Sequence, residues 1–450
     1  MEGKKSKPTI NPVLITRIEV EKLFGRYNYE IEIPCINSST ISRIALLYGD
    51  NGTGKTTILE LLFHLISPGR NRGHRGFICG LPFSRFAVVF SDGTKIEALR
   101  DGLNLVGAFT LAFTRQNKTI EGEIVPDAEG KVVPSGISTT AEQALSELEK
   151  LGLSVFFLGD DRILQSDQFE EDAGALHVVE RRYYDDEAAR EAIRRRVRHT
   201  TADRRDYALR QSLRRATEWI NIRSILASSR GESEAQQIYA YIAEEINRIG
   251  VPQADAYEAE KEKLIEELKE LDERSSAHER FGLSPRIDAG RFVKSINETS
   301  TDGLPFVSQV IRSFVDGQRA RLDSLDDLYN ILNRFLILIN EFLRDKHIVM
   351  DTSSGISIMV DSGAKLDPDN LSSGEKQLLL LFCNVLTSTE VASLFIIDEP
   401  EISLNIKWQR KLVDSLIDIT AASSCQFLLA THSIELLNKH RSQTIKLTSH

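Results

Sequence analysis

The residues with the clearest chemical potential lie in one short stretch, residues 46–62, read LLYGDNGTGKTTILELL. Gly49, Gly54, Lys55 and Thr56 fill the pattern G-x-x-x-x-G-K-[ST] without a gap. Glycines at these positions let the backbone turn tightly enough for its N–H groups to face phosphate oxygens. The N-terminus of a following helix adds partial positive charge. Lys55 is then placed to reach β- and γ-phosphates, and the Thr56 hydroxyl to ligate Mg²⁺. The run Gly49-Asp50-Asn51-Gly52-Thr53-Gly54-Lys55-Thr56-Thr57 is therefore the expected phosphate cradle.

Such a loop needs a strand before it and a helix behind it. Ile44-Ala45-Leu46-Leu47-Tyr48 is an apolar run suited to a buried parallel strand. Ile58, Leu59, Leu61 and Leu62 recur at helical spacing after Lys55. Three further segments far along the chain carry polar groups at the ends of apolar elements. Ser372-Ser373-Gly374-Glu375 opens an apolar helix, Asp398-Glu399 ends the run LFII, and His432 follows FLLAT. Taken singly, the acidic pair reads equally well as an ordinary strand end, and His432 as a packed core histidine.

Composition narrows the class. The 450 residues are 41% hydrophobic and 27% charged, enough for a large core and two or three domains. No apolar run reaches the ~18 residues of a membrane span, and residues 1–12 read as a loose basic tail rather than a signal peptide. A net charge of −10 opposes a protein that coats nucleic acid over its whole surface. Cys35, Cys79, Cys383 and Cys425 lack C-x-x-C spacing and are expected as buried thiols in a reducing cytoplasm. The nine histidines show no metal-binding spacing.

Along the chain, residues 15–20 and 27–33 alternate as strands around a Leu23-Phe24-Gly25 turn. Phe24, Tyr27 and Tyr29 can each offer a ring to a nucleotide base or pack a strand face. Arg70, Arg72 and Arg75 lie in a Gly-rich loop that either touches phosphate or stays solvated. Ser91-Asp92-Gly93 marks one hairpin, and a second falls over 110–125. Thr139 and Glu142 are spaced as a capping box. Residues 154–158 read as a strand ending in Gly159-Asp160-Asp161-Arg162.

From about 180 to 345 strand signals give way to charged helical sequence. Its arginine run, Arg181 to Arg215, can bind nucleic acid or an acidic partner. It can equally pair with the interspersed Asp185, Glu187 and Asp206 along a solvated face. Strands resume at 347–351 and 356–360. The expected organisation is a tail over 1–12, an N-terminal lobe over 13–179, a helical insertion over 180–345 and a C-terminal lobe over 346–450.

The order phosphate loop, LSSGE, apolar run with Asp-Glu, then strand with His resembles the ATP-binding-cassette ATPases, in the branch shared by RecF, SMC-type and OLD-type proteins. LFGRYNYEIEI followed by LLYGDNGTGKTTILELLFHL is most similar to the PtuA-type ATPases of Septu and retron-associated anti-phage systems. The resemblance implies an α/β ABC-ATPase head, a mixed sheet with a P-loop core plus an antiparallel β subdomain, carrying a large α-helical insertion. It implies ATP and Mg²⁺, with Asp398 beside Thr56 at the metal, Glu399 orienting the attacking water and His432 at the γ-phosphate with Lys55. Ser372, Ser373, Gly374 and Glu375 would face ATP held by a second copy, so that a homodimer or higher oligomer clamps two nucleotides. The glutamine of such sites has two candidates here, Gln116 and Gln165, while Gly159 to Arg162 falls where it is expected.

The same resemblance implies that the ATPase controls a separate HNH-type, PtuB-like nuclease, with a reverse transcriptase complex as a further partner. The chain stops about 18 residues after His432, so no nuclease domain is expected at its end. Two rivals stand beside this reading: a RecF/SMC-like DNA repair or recombination ATPase, and a scaffold that binds ATP without turning it over.

Overall fold

The computed structural model describes residues 13–37, 40–70, 72–101, 104–166, 205–229, 257–299, 304–389, 392–421 and 423–448. The chain forms two compact units, Met1–Ala208 with Ser388–His450, and Leu209–Thr387.

Strands β1 (Ile15–Leu23) and β2 (Tyr27–Glu32) pair antiparallel across a turn in which Phe24 and Gly25 take left-handed backbone. A short ladder of β3 (Cys35–Asn37) and β4 (Thr40–Ile41) precedes β5 (Ile44–Tyr48), whose first four residues are buried. The phosphate loop leads into α1 (Lys55–Ile66), then α2 (His74–Gly80). β6 (Arg85–Phe90), β7 (Lys95–Leu99), β8 (Phe109–Arg115) and β9 (Lys118–Ile124) form a meander. Asp92 closes its first hairpin by accepting the Thr94 N–H at 2.9 Å.

α3 (Thr139–Glu149) is capped one residue earlier than the Thr139–Glu142 spacing predicts. Ser138 has extended backbone and its hydroxyl accepts the Ala141 N–H, whereas Thr139 is already helical. β10 (Ser154–Leu158) is fully buried, and β11 (Leu164–Ser166) runs antiparallel beside it.

The second unit holds most of α4 (205–229), then α5 (Tyr257–Glu279), α6 (Ala289–Glu298) and α7 (Leu304–Asn340). Leu264, Leu268 and Leu271 make one apolar stripe on α5 and share a core with Ile296 of α6 and Val315 and Leu322 of α7. β12 (Lys346–Asp351), β13 (Gly355–Val360) and β14 (Lys365–Leu366) form a small antiparallel sheet before α8 (Ser373–Thr387).

Residues 346–387, expected with the C-terminal lobe, thus belong to the same compact unit as these helices. Side-chain ties account for it. Asn340 of α7 accepts the Ile348 N–H at 2.7 Å and donates to its carbonyl at 3.1 Å. Asn384 of α8 donates to the Ser212 hydroxyl of α4 at 2.9 Å.

The chain returns to the first unit through β15 (Ser393–Asp398), α9 (Ile406–Ile419), β16 (Cys425–Ala430), α10 (Ile434–Lys439) and β17 (Thr444–Lys446). Two six-stranded sheets result, ordered β2-β1-β6-β7-β8-β9 and β11-β10-β15-β16-β5-β17. The first is antiparallel. In the second only β11 runs against the rest. Ile58, Leu62 and Phe63 of α1 share one core with Ile18 and Val88 of the first sheet and Ile396 and Leu428 of the second. On the opposite face of the second sheet Phe156, Phe395 and Phe427 stack across neighbouring strands at 4.5 and 5.3 Å. The α/β fold with an antiparallel β subdomain and a large helical portion agrees with the expected class.

Cys79, Cys383 and Cys425 are buried, and burial pushes the Cys79 thiol up to about 11 and that of Cys383 to about 12. Cys35 departs from expectation: it is exposed on β3. Among the described residues no helix is long and apolar enough to cross a membrane.

Candidate active site

In the second sheet β16 lies between β5 and β15, with all three parallel. The phosphate loop, His432 and the Asp398-Glu399 pair therefore leave adjacent strands at one sheet edge, their carboxyl ends, where open α/β sheets bind ligands.

Backbone geometry explains the loop's residue types. Gly52 and Gly54 have φ of 80° and 84°, and a Cβ on Gly54 would stand 2.9 Å from Leu23 Cδ2 and 3.3 Å from Phe24 Cε2. Gly54 also begins α1, which has neither a side-chain cap nor an acidic residue in its first turn. Its first N–H groups thus keep their donor capacity for an anion. The buried Lys55 Nζ donates to the carbonyls of Gly49 and Asp50 at 3.0 and 3.3 Å. Tyr29 braces the loop from β2, its hydroxyl donating to the Thr53 carbonyl at 2.7 Å.

Thr56 Oγ1 donates to Asp398 Oδ2 at 2.6 Å, linking residues 342 positions apart. Asp398 is 2% exposed and its Oδ1 has no hydrogen-bond partner. Burial raises its pKa and the nearby Asp160 adds to that, against the Thr56 hydroxyl and Lys55. A buried carboxylate with a spare oxygen beside a threonine hydroxyl suits Mg²⁺, an ion usually held by one or two protein oxygens plus substrate phosphates.

Glu399, next along, takes left-handed backbone at φ 49° while its N–H donates to the Ala430 carbonyl at 2.9 Å. Burial, then a hydrogen bond and charge repulsion from Glu401 and the charge of Asp398, push it up to about 8. His432 Nε2 stands 3.5 Å from Glu399 Oε1, and the imidazole is 44% exposed. Carboxyl and imidazole thus meet at the mouth of the cradle, where one can take a proton and the other meet a phosphate oxygen.

Several contributors lay outside the motifs. Glu401 accepts from both the Thr431 hydroxyl and the His432 N–H, each at 2.7 Å. Glu60, one helical turn beyond Thr56, is pushed up to about 7 by burial and by Asp398, Asp160 and Asp161. Its place at i+4 from Thr56 was the available signal.

Of the two glutamine candidates, Gln165 pairs across β11–β10 with Phe157, which pairs with Ile396, so it shares the sheet face of Asp398. Gln116 turns the β8–β9 hairpin at the edge strand pair farthest from β1–β2, and at the sheet end where β1 begins rather than where Phe24 meets Gly54. Phe24 is 42% exposed against the loop, while Tyr27 and Tyr29 stack at 5.8 Å.

In the basic loop Arg70 and Arg72 stay exposed while each bonds back to the fold, and only Arg75 is withdrawn from solvent. Arg75 is buried and donates to the His64, Leu65 and Ser67 carbonyls at the end of α1, Arg72 to the Ser166 carbonyl and Arg70 to the Ser146 hydroxyl.

In the second unit, Ser372 caps α8 through a reciprocal box. Its N–H and hydroxyl both donate to Glu375 Oε2 at 2.8 Å, and the Glu375 N–H returns to Ser372 Oγ at 3.4 Å. Lys346 Nζ holds the same carboxylate at 3.1 Å. Glu375 is therefore turned inward and buried, leaving Ser372 and Ser373 exposed and Gly374 buried behind them. Residues 181–204 of the arginine run, Arg194, Arg195 and Arg196 included, lie outside the described residues. Arg210 pairs with Asp367 and Asp369 at 2.9 and 2.6 Å, acids from outside the run, and Arg214 with Glu218 at 2.8 Å one turn along its own helix.

The Smc head domain of Pyrococcus furiosus with an extended coiled coil, bound to the C-terminal domain of ScpA, aligns over 97% of this chain and 94% of that chain. The identity is 12% and the TM-score 0.42. The SMC head domain from Thermotoga maritima covers 94% of this chain and 91% of its own at 11% identity and a TM-score of 0.34. Neither likeness contributes a residue role. No curated protein matches the sequence. The family described as "AAA domain, putative AbiEii toxin, Type IV TA system" matches residues 44–438. Because that match runs from the strand before the phosphate loop into the helix beyond His432, the chain belongs to this AAA-domain family and is an ATPase.

Proposed function

We propose that the protein is a Mg²⁺-dependent ATPase that closes as a homodimer or higher oligomer around ATP and controls an HNH-type nuclease partner in anti-phage defence, as PtuA-type proteins do. The observation that carries the ATPase part is the 2.6 Å bond from Thr56 to Asp398, which joins the phosphate loop to the acidic strand end. Thr56 and Asp398 would hold Mg²⁺, which when bound supplies positive charge to the phosphate oxygens.

Lys55 gives its ammonium to the β- and γ-phosphates in place of the Gly49 and Asp50 carbonyls. Glu399 orients the attacking water and takes its proton, and His432 donates to the γ-phosphate. Burial supports Glu399 in that role, because a base tuned near working pH transfers protons best. Ser372, Ser373 and Gly374 of one copy meet the γ-phosphate held by another. The partner reading is supported by the sequence flanking the phosphate loop.

The test is to purify the chain with whatever co-elutes, identify bound protein and nucleic acid, and assay ATP hydrolysis with and without Mg²⁺. A co-purifying HNH protein whose cleavage responds to Glu399→Gln supports the reading. DNA-stimulated turnover with no nuclease partner favours the repair or recombination rival. ATP bound but never hydrolysed favours the scaffold.

A further inference from the structure

We propose that Glu401 is a positioning residue for His432, fixing the backbone that carries the imidazole against Glu399. The inference rests on the ATPase site described above and assigns a role to the second glutamate of Asp398-Glu399-Pro400-Glu401.

The backbone ladder between the two strands stops at their carboxyl ends. β15 and β16 pair in parallel as far as Asp398 opposite Ala430, and the Glu399 N–H still reaches the Ala430 carbonyl. Past that point the next links between the two loops are made by side chains. Glu401 Oε1 accepts the Thr431 hydroxyl and the His432 N–H at 2.7 Å each. Gln409 then accepts the Ser433 hydroxyl at 2.8 Å and donates to the Leu404 carbonyl at 2.9 Å. Glu401 therefore continues the ladder by one rung beyond the last backbone pair, at the residue whose side chain does the chemistry.

Its own place is secured by the tight turn that follows β15. The Ile402 N–H donates to the Glu399 carbonyl and the Leu404 N–H to the Glu401 carbonyl, at 3.1 and 2.9 Å, with Ser403 left-handed at φ 68°. The turn that starts from Glu399 thus also aims Glu401. A carboxylate accepting two donors at once is a strong, short anchor. The His432 imidazole is 44% exposed and lies 3.5 Å from Glu399, so its aim depends on the backbone Glu401 holds.

The test is a double-mutant cycle on the full chain, with kcat, KM for ATP and thermal midpoint read for each variant. Glu401→Ala is expected to lower kcat about tenfold to a hundredfold while KM moves little. Glu401→Gln should restore most of it, because the amide oxygen accepts the same two donors. In a His432→Ala background Glu401→Ala should cost at least about threefold less than in the wild-type background, since residues acting as one unit are non-additive, and what remains is its direct bond to Glu399. An equal loss in both backgrounds, or no loss in either, overturns the inference.

If Glu401→Ala does not fold, Thr431→Val removes one of the two donors, and Thr431→Ser, which keeps both that donor and the acceptor of the Ser433 N–H, is its control in the same cycle, with the same outcomes deciding. Lys55→Ala and Glu399→Gln run alongside. Turnover that survives both removes the underlying site reading, whereas turnover lost in both with an additive cycle removes only the role of Glu401.

Discussion

Two helix starts in this protein carry motif residues, and they are finished in opposite ways. α1 begins at Gly54 with no side-chain cap and no acid in its first turn, next to a buried lysine bonded to loop carbonyls. α8 begins with Ser372 and Glu375 closing a reciprocal box, with Lys346 behind it. A helix start without its own carboxylate holds its donors ready for an external anion, while the capping box takes up the N–H groups of Ser372 and Glu375 and leaves those of Ser373 and Gly374 to a ligand. The same motif-level expectation of phosphate contact thus covers an open cradle and a partly occupied one. Any ligand at Ser372 has to compete with Glu375.

Substitutions at each helix start separate the two. The largest effect is expected at the strand end that serves the open start: Glu399→Gln should lower turnover about 10²- to 10⁴-fold with ATP binding retained, measured by single-turnover hydrolysis beside equilibrium nucleotide binding. The same substitution has a pH signature. Glu399 at about 8 and Glu60 at about 7 lie above their ordinary value of 4.5, so the folded chain keeps protons that the unfolded chain releases. That stability is full below the ordinary value and is lost as pH rises through about 7 to 8. Thermal midpoints without nucleotide or metal should fall across that window, and Glu399→Gln should flatten its upper part.

Next in size, Lys55→Ala should weaken ATP binding about 10- to 100-fold, as expected for losing a charge-assisted contact, read by fluorescent-nucleotide titration. At the other start, Glu375→Ala should cost about 1–3 kcal/mol of stability by leaving the Ser372 donors and Lys346 without their acceptor, read as a lower urea midpoint. A stability unchanged by that substitution would show that the box does not hold α8. Smallest, Tyr29→Phe should cost about 0.5–1.5 kcal/mol, read as slightly weaker nucleotide binding, because only the brace on the Thr53 carbonyl is lost.

Local rules read well where they depend on neighbours in sequence. The β5 strand, the α1 stripe and the Asp92-Gly93 hairpin follow from apolar spacing and turn chemistry, and each is present. The capping box at Thr139 slipped by one residue because two adjacent hydroxyl residues compete and backbone geometry picks Ser138. Arg70 and Arg72 keep the exposure expected of a solvated loop, and Arg75 departs from it because its partners are the carbonyls that end α1. Gln116 and Gln165 are indistinguishable in sequence, and only sheet order sets Gln165 on the face of Asp398 and Gln116 in an edge hairpin.

Residue type and spacing by themselves determined which groups can do phosphate chemistry, since a glycine's freedom, a lysine's charge and a hydroxyl's lone pairs are properties of single residues. Only the tertiary structure decided which of them meet. The insertion of β16 between β5 and β15 brings Thr56 to Asp398 and Glu399 to His432, and it gives Glu401 its two donors. Strand order is settled by long-range burial, which no local pattern encodes.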